Sequence, residues 1–259
     1  MDNPVLYHYT NLNALPSILR RDHVLLWATN IYFLNDPSEL NYGIRLFNEV
    51  NNCKSSIQGL EDIYITCFSE NPDSLVMWSS YGNNASGCAI ALDYEKVKVA
   101  FQDLNKVIYD SDEAKKVLTP TPIKVKITEE DKNISIFPEE LNKYFIREMK
   151  AFTNCWLIKH PAYSHEEEIR GVVFVKRTPP INGDPEDEQF GFKPENVQFR
   201  LRNNIIVPYL EVKIPVDAVQ QIVLGPTANE NETRKSIELM LNLKGYDVPV
   251  VKSQIPYRG

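Results

Sequence analysis

The sequence has no long apolar run, and this absence bears on where the protein resides. No stretch approaches the roughly 18 consecutive apolar residues that a membrane-spanning helix needs. The N-terminus carries Asp2 and the Tyr7-His8 pair, so it also lacks the basic and then apolar pattern of a signal peptide. We therefore expect a soluble, cytoplasmic protein without a membrane partner.

Cysteine is scarce, and its spacing argues against a structural zinc site. The four cysteines are Cys53, Cys67, Cys88 and Cys155. They lie far apart, whereas zinc sites usually take closely spaced cysteine pairs. His160 and His165 lie near acidic residues, but the helical zinc motif needs two histidines one turn apart around a glutamate. We expect buried thiols in a reducing compartment and no metal site.

Motifs for nucleophilic and phosphate chemistry are missing as well. The sequence contains no Gly-x-Ser-x-Gly elbow and no glycine-rich phosphate loop. Positive charge is in deficit, with 28 Lys and Arg against 35 Asp and Glu and a net charge of −7. This balance disfavours sequence-independent attraction to nucleic acid. Residues 124–126 and 200–202 still place two cations each on one strand face, and we interpret them as solvated edges.

What the sequence does contain is a series of apolar segments separated by turns. Hydrophobic residues make up 43% of the 259 residues, which is enough to form the core of a single domain. Strands are predicted at residues 63–69, 88–92 and 219–224, and a helix at residues 229–243. The mixture predicts an α+β domain over residues 1–259, with a partly helical insertion at about residues 95–158.

Other segments are less regular. Residues 97–101 and 107–109 are predicted as short strands, and residues 199–210 as one longer strand. Pro138 opens a helix whose apolar side chains recur at three and four residues. Residues 178–194 are rich in Pro, Gly and acids, which favours a mobile loop.

Polar side chains in the first predicted strand indicate a binding site. Strand side chains alternate between faces, so His8 and Thr10 share one face while Tyr7 and Tyr9 share the other. A ring nitrogen and a hydroxyl on one face can hold adjacent sugar hydroxyls. A lone histidine is more often an ordinary surface or core residue, and that alternative stays open.

A row of charges follows late in the chain. If the segment from residue 166 to residue 175 is extended, Glu166, Glu168 and Arg170 share one face. A fixed carboxylate can stabilise the oxocarbenium-like charge that develops at a ribosyl C1 carbon, and it can also bind the ribose 2-hydroxyl. The alternative is an exposed acidic edge paired with Arg170, which is usually worth under about 1 kcal/mol.

Aromatic residues lie between these two segments in the sequence. One predicted strand ends at Ser69, and a short helical stretch after it carries Trp78 and Tyr81. An aromatic ring there would stack on a departing nicotinamide, although packing in the core is the default for Trp78.

Taken in chain order, these segments resemble a large bacterial family of unknown function. The resemblance rests on Tyr7-His8-Tyr9-Thr10, Asn35-Asp36-Pro37 with Glu39, Cys67-Phe68-Ser69, Met77-Trp78 with Tyr81, Lys159 with Glu166-x-Glu168-x-Arg170, and Gly225-Pro226. It covers nearly the whole chain. That family in turn looks like a distant relation of the ADP-ribosyltransferases. Their core is a split, mostly antiparallel sheet flanked by helices, with a triad of His, then Tyr or Ser, then Glu.

The resemblance implies that NAD is the substrate, and it assigns roles to residues. Glu168 would be catalytic, and Glu166 would aid the acceptor. The residues implied in NAD binding are His8, Tyr9, Thr10, Ser69, Trp78, Tyr81 and Arg170. Whether Tyr64, Ser69 or Tyr81 lies against the nicotinamide stays open.

The function implied is NAD-dependent cleavage of the nicotinamide–ribose bond, with transfer of ADP-ribose to a protein, a nucleic acid or water. Such an activity suits a toxin or phage-defence effector with an antitoxin or defence-system partner. One alternative is a catalytically silent domain that binds a nucleotide or a protein. Another is a nuclease-like or phosphotransfer role that uses His8 with Arg170 or Arg200. The transferase reading expects His8 and Glu168 to line one cleft.

Overall fold

The computed structural model describes residues 4–35, 38–55, 60–120, 151–176 and 192–256. The chain divides into two compact units. The first comprises Met1–Leu34, Leu60–Val107 and Ser164–Gly259, and the second comprises Asn35–Gly59 and Ile108–Tyr163. The insertion predicted at about residues 95–158 overlaps the second unit, which also takes in the earlier segment Asn35–Gly59.

A large sheet forms the centre of the first unit. Its strands are β1 Val5–Thr10, β2 Val24–Asn30, β3 Ile63–Ser69, β4 Cys88–Asp93, β5 Asp103–Lys106, β6 Glu168–Phe174, β7 Gln198–Arg202, β8 Ile205–Ile214, β9 Val219–Leu224 and β10 Val250–Lys252. The main path runs β10-β9-β4-β1-β3-β2-β8-β7, while β6 pairs with β3 and β5 pairs with β6. Only the β9–β10 pair is parallel among these strands. The predicted α+β class with a mostly antiparallel sheet is therefore confirmed.

The sheet divides into two halves along β3. On one side of β3, β6 pairs along its whole length, from Ile63 to Ser69. The other side is shared, because β1 pairs at Ser69 whereas β2 pairs at Tyr64 and Ile65. The strands β1 and β2 thus separate along β3 and leave Cys67 between their pairing points.

Alternation along the strands gives the sheet two different faces. One face carries Leu6, Phe68, Ile90 and Ile169, which belong to the main hydrophobic core. Gly171 lies on this face as well, and a Cβ there would approach the ring of Phe101 to 2.7 Å. The opposite face carries the polar residues Tyr7, Ser69, Glu168 and Arg170.

Short helices and one long helix flank this sheet. They are α1 Leu15–Ile18, α3 Leu75–Ser80, α4 Tyr94–Lys98 and α6 Glu230–Lys244. Helix α6 ends at Gly245, whose φ of 86° is the left-handed conformation that glycine adopts without strain. Within the described residues, no helix is long and apolar enough to span a bilayer.

The second unit is built on helices. It contains α2 Ser38–Asn51, α5 Ser111–Leu118 and the 3-10 turn Asn154–Leu157. The rings of Phe47 and Phe152 pack edge to face with centroids 5.3 Å apart. Gly43 permits a close backbone contact, because a Cβ there would lie 2.2 Å from the carbonyl oxygen of Cys155.

Several predicted elements differ from the structure. Residues 97–101 are not a strand, because Asp93 caps helix α4 by accepting a hydrogen bond from the backbone N–H of Lys96. Residues 199–210 form two strands, since Asn203 and Asn204 take positive φ values of 50° and 61° and make a hairpin turn. Residues 107–109 contribute a single bridge, from Ile108 to Ile158. Most of the helix predicted after Pro138 and most of the loop at 178–194 lie outside the described residues.

Candidate functional site

One row of paired residues crosses three strands on the polar face of the sheet. Tyr7 of β1 pairs with Ser69 of β3, and Ser69 pairs with Glu168 of β6. Directly paired residues of antiparallel strands point to the same face. A phenol, a hydroxyl and a carboxylate therefore lie side by side.

The carboxylate of Glu168 forms a bidentate ion pair with Arg170. Arg170 donates from Nε to Oε1 at 2.8 Å and from Nη2 to Oε2 at 3.0 Å. The two residues stand two apart on β6 and share a face, and they are only 5% and 2% exposed. The alternative of an acidic edge paired with Arg170 is therefore right about the ion pair and wrong about its exposure, since both charges are taken out of water and compensate each other.

Glu166 reaches this region by a different route from the one predicted. Strand β6 begins at Glu168, and Glu166 ends a 3-10 turn, Pro161–Glu166. Glu167 between them has a φ of 44°, so the segment is not continuously extended and the predicted period of two fails at this point.

Hydrogen bonds hold the Glu166 turn against β3 and α3. The hydroxyl of Ser69 donates to the carbonyl oxygen of Glu166 at 2.6 Å, and the hydroxyl of Tyr81 donates to its Oε1 at 3.1 Å. The backbone N–H of Glu70 donates to the carbonyl of Glu167 at 2.9 Å. The side chain of Glu166 is only 6% exposed.

The turn after β3 is fixed by Tyr9. Its hydroxyl donates to the carbonyl of Asn71 at 2.8 Å and accepts from the backbone N–H of Ser74 at 3.3 Å. The N–H of Asn71 in turn donates to the hydroxyl of Ser69 at 3.0 Å. Burial raises the pKa of Tyr9 and also that of Tyr7, so both phenols stay protonated as donors.

Trp78 supports the site from the core. Its side chain has no exposed surface, its ring packs edge to face on Tyr9 at 4.8 Å, and its Nε1 donates to Asp73 at 2.6 Å. In this conformation the ring is not available to stack on a ligand, which corrects the expectation that Trp78 contacts the nicotinamide. Its contact with Asp73 fixes a carboxylate that also accepts from Ser253 at 2.6 Å.

His8 lies on the other face of the sheet. Because Tyr7 shares a face with Ser69 and Glu168, the next residue of β1 points to the face of the main core. The expectation that His8 and Glu168 line one cleft is therefore wrong. Thr10 shares the face of His8, so the structure separates both from the carboxylates.

The imidazole of His8 lies where β1 and β2 separate. Its Nδ1 is 3.2 Å from the carbonyl oxygen of Cys67, and a carbonyl only accepts, so Nδ1 carries the proton. Loss of hydration lowers the pKa of His8 below its ordinary value, and the bond to Cys67 opposes this more weakly. The ring is thus held neutral with Nε2 as an acceptor.

Two residues of the site escaped the sequence analysis. Tyr7 was placed on the opposite face from His8, and that face proves to be the one that carries Ser69 and Glu168. Asn71 sits in an ordinary turn, and no feature of the sequence distinguishes it. The alternation of side chains along β1 was the available signal. Its meaning depends on which strand pairs with β1, and the sequence does not show this.

Two other residues on which the family resemblance rests, Lys159 and Glu39, lie in the second unit. Lys159 and Glu39 form an ion pair of 3.0 Å, and their side chains are 2% and 8% exposed. Asp36 and Pro37 lie outside the described residues. Within the part of the chain that the structure describes, no group of three or more His, Cys, Asp and Glu side chains could hold a metal ion.

Comparisons with known proteins give limited matches. Residues 77–171, which include Tyr81 and the Glu166 to Arg170 segment, match a family described as "Protein of unknown function (DUF2971)". None of the curated proteins compared with the chain matches it. A solved structure of DarT from Thermus sp. 2.9, in complex with ADP-ribosylated ssDNA, is similar at a TM-score of 0.35 and 11% identity, over 97% of this chain and 94% of that one. The similarity to DarT is too low to assign a fold or a function.

Proposed function

We propose that the protein cleaves the nicotinamide–ribose bond of NAD and passes ADP-ribose to a macromolecular acceptor or to water. The observation that supports it is a pair of buried carboxylates, Glu166 and Glu168, held on one face of the sheet among hydroxyl donors. When nicotinamide leaves, positive charge develops on the ribose ring. Carboxylates that are already fixed stabilise that charge without reorganising.

The two carboxylates take different parts in this proposal. Both oxygens of Glu168 accept from Arg170, so much of its charge is compensated. The pair is therefore suited to holding β6 in place beside the site. Glu166 accepts from the hydroxyl of Tyr81, whose half-buried ring lies where the nicotinamide would contact the site. We therefore propose that Glu166 stabilises the charge that develops on the ribose and that Glu168 has a positioning role. The family resemblance instead assigns catalysis to Glu168.

Tyr81 is the aromatic residue that best fits the nicotinamide. It is half-buried beside Glu166, while Tyr64 is buried on the face of the main core. In the reaction, nicotinamide departs with the electron pair of the C1–N bond and becomes neutral. The acceptor oxygen forms the new C1–O bond, and its proton passes to the Glu166 carboxylate.

The test is release of nicotinamide from NAD by the purified protein, quantified by chromatography. Glu166→Gln is expected to reduce the rate by about a hundredfold or more. Glu167→Gln is the matched control, because Glu167 lies between the two carboxylates and is exposed. Glu168→Gln separates the two assignments: a full loss in a folded variant, with Glu166→Gln active, would transfer the catalytic role to Glu168. Circular dichroism of each variant verifies folding.

A silent nucleotide-binding domain is the second candidate, and the burial of both carboxylates favours it. At 6% and 5% exposure, Glu166 and Glu168 would meet a substrate only through a small opening or a rearrangement. Binding of NAD by calorimetry without nicotinamide release, either in water or with protein and nucleic-acid acceptors, would establish this candidate. Absence of both binding and release would refute the proposal.

A toxin or defence role is a further consequence of the proposed activity. Consumption of NAD or modification of an essential acceptor would arrest growth of a cell that expresses the protein. Expression of the wild type should therefore slow growth and lower cellular NAD or label a macromolecule, while Glu166→Gln should do neither. An arrest that persists in the variant would separate the growth effect from NAD chemistry.

A further inference from the structure

A second cluster of polar and aromatic side chains lies on the other half of the same sheet face. Trp27 and Thr29 belong to β2, Tyr209 to β8 and Arg200 to β7. The register joins them, because Thr29 pairs with both Ile65 of β3 and Tyr209 of β8. Across the next pair, Gln198 is opposite Tyr209, so Gln198 and Arg200 also point to this face. We name Trp27, Thr29, Arg200, Arg202 and Tyr209 the arginine–aromatic platform.

Arg200 is the centre of the platform. Its guanidinium carbon lies 4.8 Å from the ring centroid of Trp27 and 5.7 Å from that of Tyr209, and its Nη2 donates to the hydroxyl of Thr29 at 2.9 Å. Its Nε is buried without a hydrogen-bond partner. Such an orphaned donor has lost hydration and gained no protein acceptor, so the hydrogen-bonding capacity of this guanidinium is only partly used within the described residues.

No acidic group compensates the charge of Arg200 within the described part of the chain. Burial lowers its pKa, and Arg202 on the same strand face lowers it further. Arg202 is directed to the carbonyl of Phe33, to which its Nη2 donates. Two guanidinium groups therefore share one face, although the protein as a whole carries a net charge of −7. A guanidinium that has no acidic partner among the described residues, as in Arg200, suits a phosphate.

Trp27 supplies the second half of the binding chemistry. Its side chain is 41% exposed, which is unusual for the largest apolar residue, and the guanidinium packed against it holds its orientation. An exposed indole beside an arginine offers a stacking surface for a base next to a site for phosphate. Bases of a duplex already stack on each other, so the platform fits an unpaired base.

A neighbouring hollow limits the path of such a ligand. A cavity of about 450 Å³ is lined by Gln198, Glu195, Glu211 and Lys213 among others, and Glu211 pairs with Trp27 across β2 and β8. Its two carboxylates would repel phosphate. The phosphodiester backbone is thus expected on the arginine side of Trp27.

We propose that the arginine–aromatic platform binds single-stranded nucleic acid, with one base on Trp27 and an adjoining phosphate on Arg200. The proposal goes beyond cleavage of NAD and does not depend on it, since the residues that carry it are separate from Glu166 and Glu168.

The test is binding of a fluorescein-labelled oligothymidylate of about 12 nucleotides, a length within the usual site sizes, measured by anisotropy at low salt. Trp27→Ala and Arg200→Gln are each expected to weaken binding by about tenfold or more, a loss typical of one stacked base or one charged contact. Lys235→Gln removes one positive charge from an exposed position of α6 and should change affinity by less than about twofold. Arg200→Lys keeps the charge but not the planar fork and should fall between wild type and Arg200→Gln.

A second readout is the fluorescence of the wild type, checked with one conservative variant. Of the three tryptophans, Trp78 and Trp156 are 0% and 4% exposed, so quenching of intrinsic fluorescence by the oligonucleotide reports on Trp27. Trp27→Phe should abolish the quenching and retain part of the binding. Equal binding of a duplex of the same length, full competition by NAD at matched concentration, or quenching that survives in Trp27→Phe would each overturn the proposal.

Discussion

Arg170 donates to both carboxylate oxygens of Glu168, at 2.8 Å and 3.0 Å, and both side chains are almost fully excluded from water. Glu168→Gln would remove the negative charge that this buried guanidinium contacts through two hydrogen bonds. Breaking one partner of a buried ion pair costs about 3–5 kcal/mol. Urea unfolding should therefore show a loss of that order in the free energy of unfolding.

An exposed ion pair of the same chain is the control for this prediction. Arg45 and Glu49 lie 3.8 Å apart on α2, and their side chains are 65% and 60% exposed. Glu49→Gln should change stability by under about 1 kcal/mol. If Glu168→Gln were no more destabilising than Glu49→Gln, the buried pair would not be the structural element inferred above.

Ser69 links the central strand to the turn that carries Glu166. Its hydroxyl donates to the Glu166 carbonyl at 2.6 Å and accepts from the N–H of Asn71 at 3.0 Å, and the residue is fully buried. Ser69→Ala leaves both backbone groups without their partner, at a cost of about 1–3 kcal/mol. Thermal unfolding should show a lower midpoint for Ser69→Ala. Ser79→Ala in α3 removes an exposed hydroxyl and should leave the midpoint nearly unchanged. Equal midpoints for the two variants would contradict the prediction.

Strands with a clear local pattern could be predicted from the sequence. The predicted strands at residues 63–69 and 219–224 coincide with β3 and β9, because their apolar and β-branched residues fit a pleated, mostly buried surface. The helix predicted at residues 229–243 is α6 within one residue at each end. The patterns that identify these strands and this helix involve only residues close together in the sequence, so they could be recognised without the fold.

The arrangement of the candidate site could not be predicted in the same way. Which face of β1 meets the carboxylates depends on its pairing with β3, about sixty residues later, and a shift of one residue would exchange His8 for Tyr7. The positive φ of Glu167 likewise ends the strand before Glu166, where the sequence suggested unbroken alternation. Long-range register and a single strained residue, rather than composition, decide both outcomes.

The four cysteines differ in their access to water, which predicts an order of chemical labelling. Cys67 is exposed on β3 and Cys53 is half-buried, whereas Cys88 and Cys155 are buried. Burial raises the pKa of Cys88 and Cys155 to about 12, so both thiols stay protonated and unreactive near neutral pH. Mass spectrometry after brief maleimide treatment should find Cys67 modified first.

The Cys67→Ser variant tests the assignment of that first label. It should lose the fastest phase of modification, while labelling of Cys53 continues at its own rate. Cys88 and Cys155 should react only in denaturant. Modification of Cys88 in the native protein as fast as that of Cys67 would show that β4 is not part of a closed core.

His8 makes stability depend on pH in a direction that its surroundings fix. Loss of hydration is the larger influence and lowers the pKa of His8 below its ordinary value of 6.5. The unfolded chain therefore binds more protons than the folded protein as the pH falls below that value. By linkage, the contribution of His8 to stability is fully present above pH 6.5 and is lost as the pH falls through 6.5 toward the folded pKa.

Urea unfolding between about pH 5 and about pH 8 measures this contribution, with His8→Asn as the comparison. Asparagine does not titrate, and its side-chain amide can still donate toward the Cys67 carbonyl, so the variant isolates the titration from the hydrogen bond. The wild type should lose stability relative to the variant on acidification. An NMR titration of the His8 ring should give a pKa below 6.5. A value above it, or a wild type that gains stability toward acid, would mean that the ring is hydrated and that the gap between β1 and β2 is open to water.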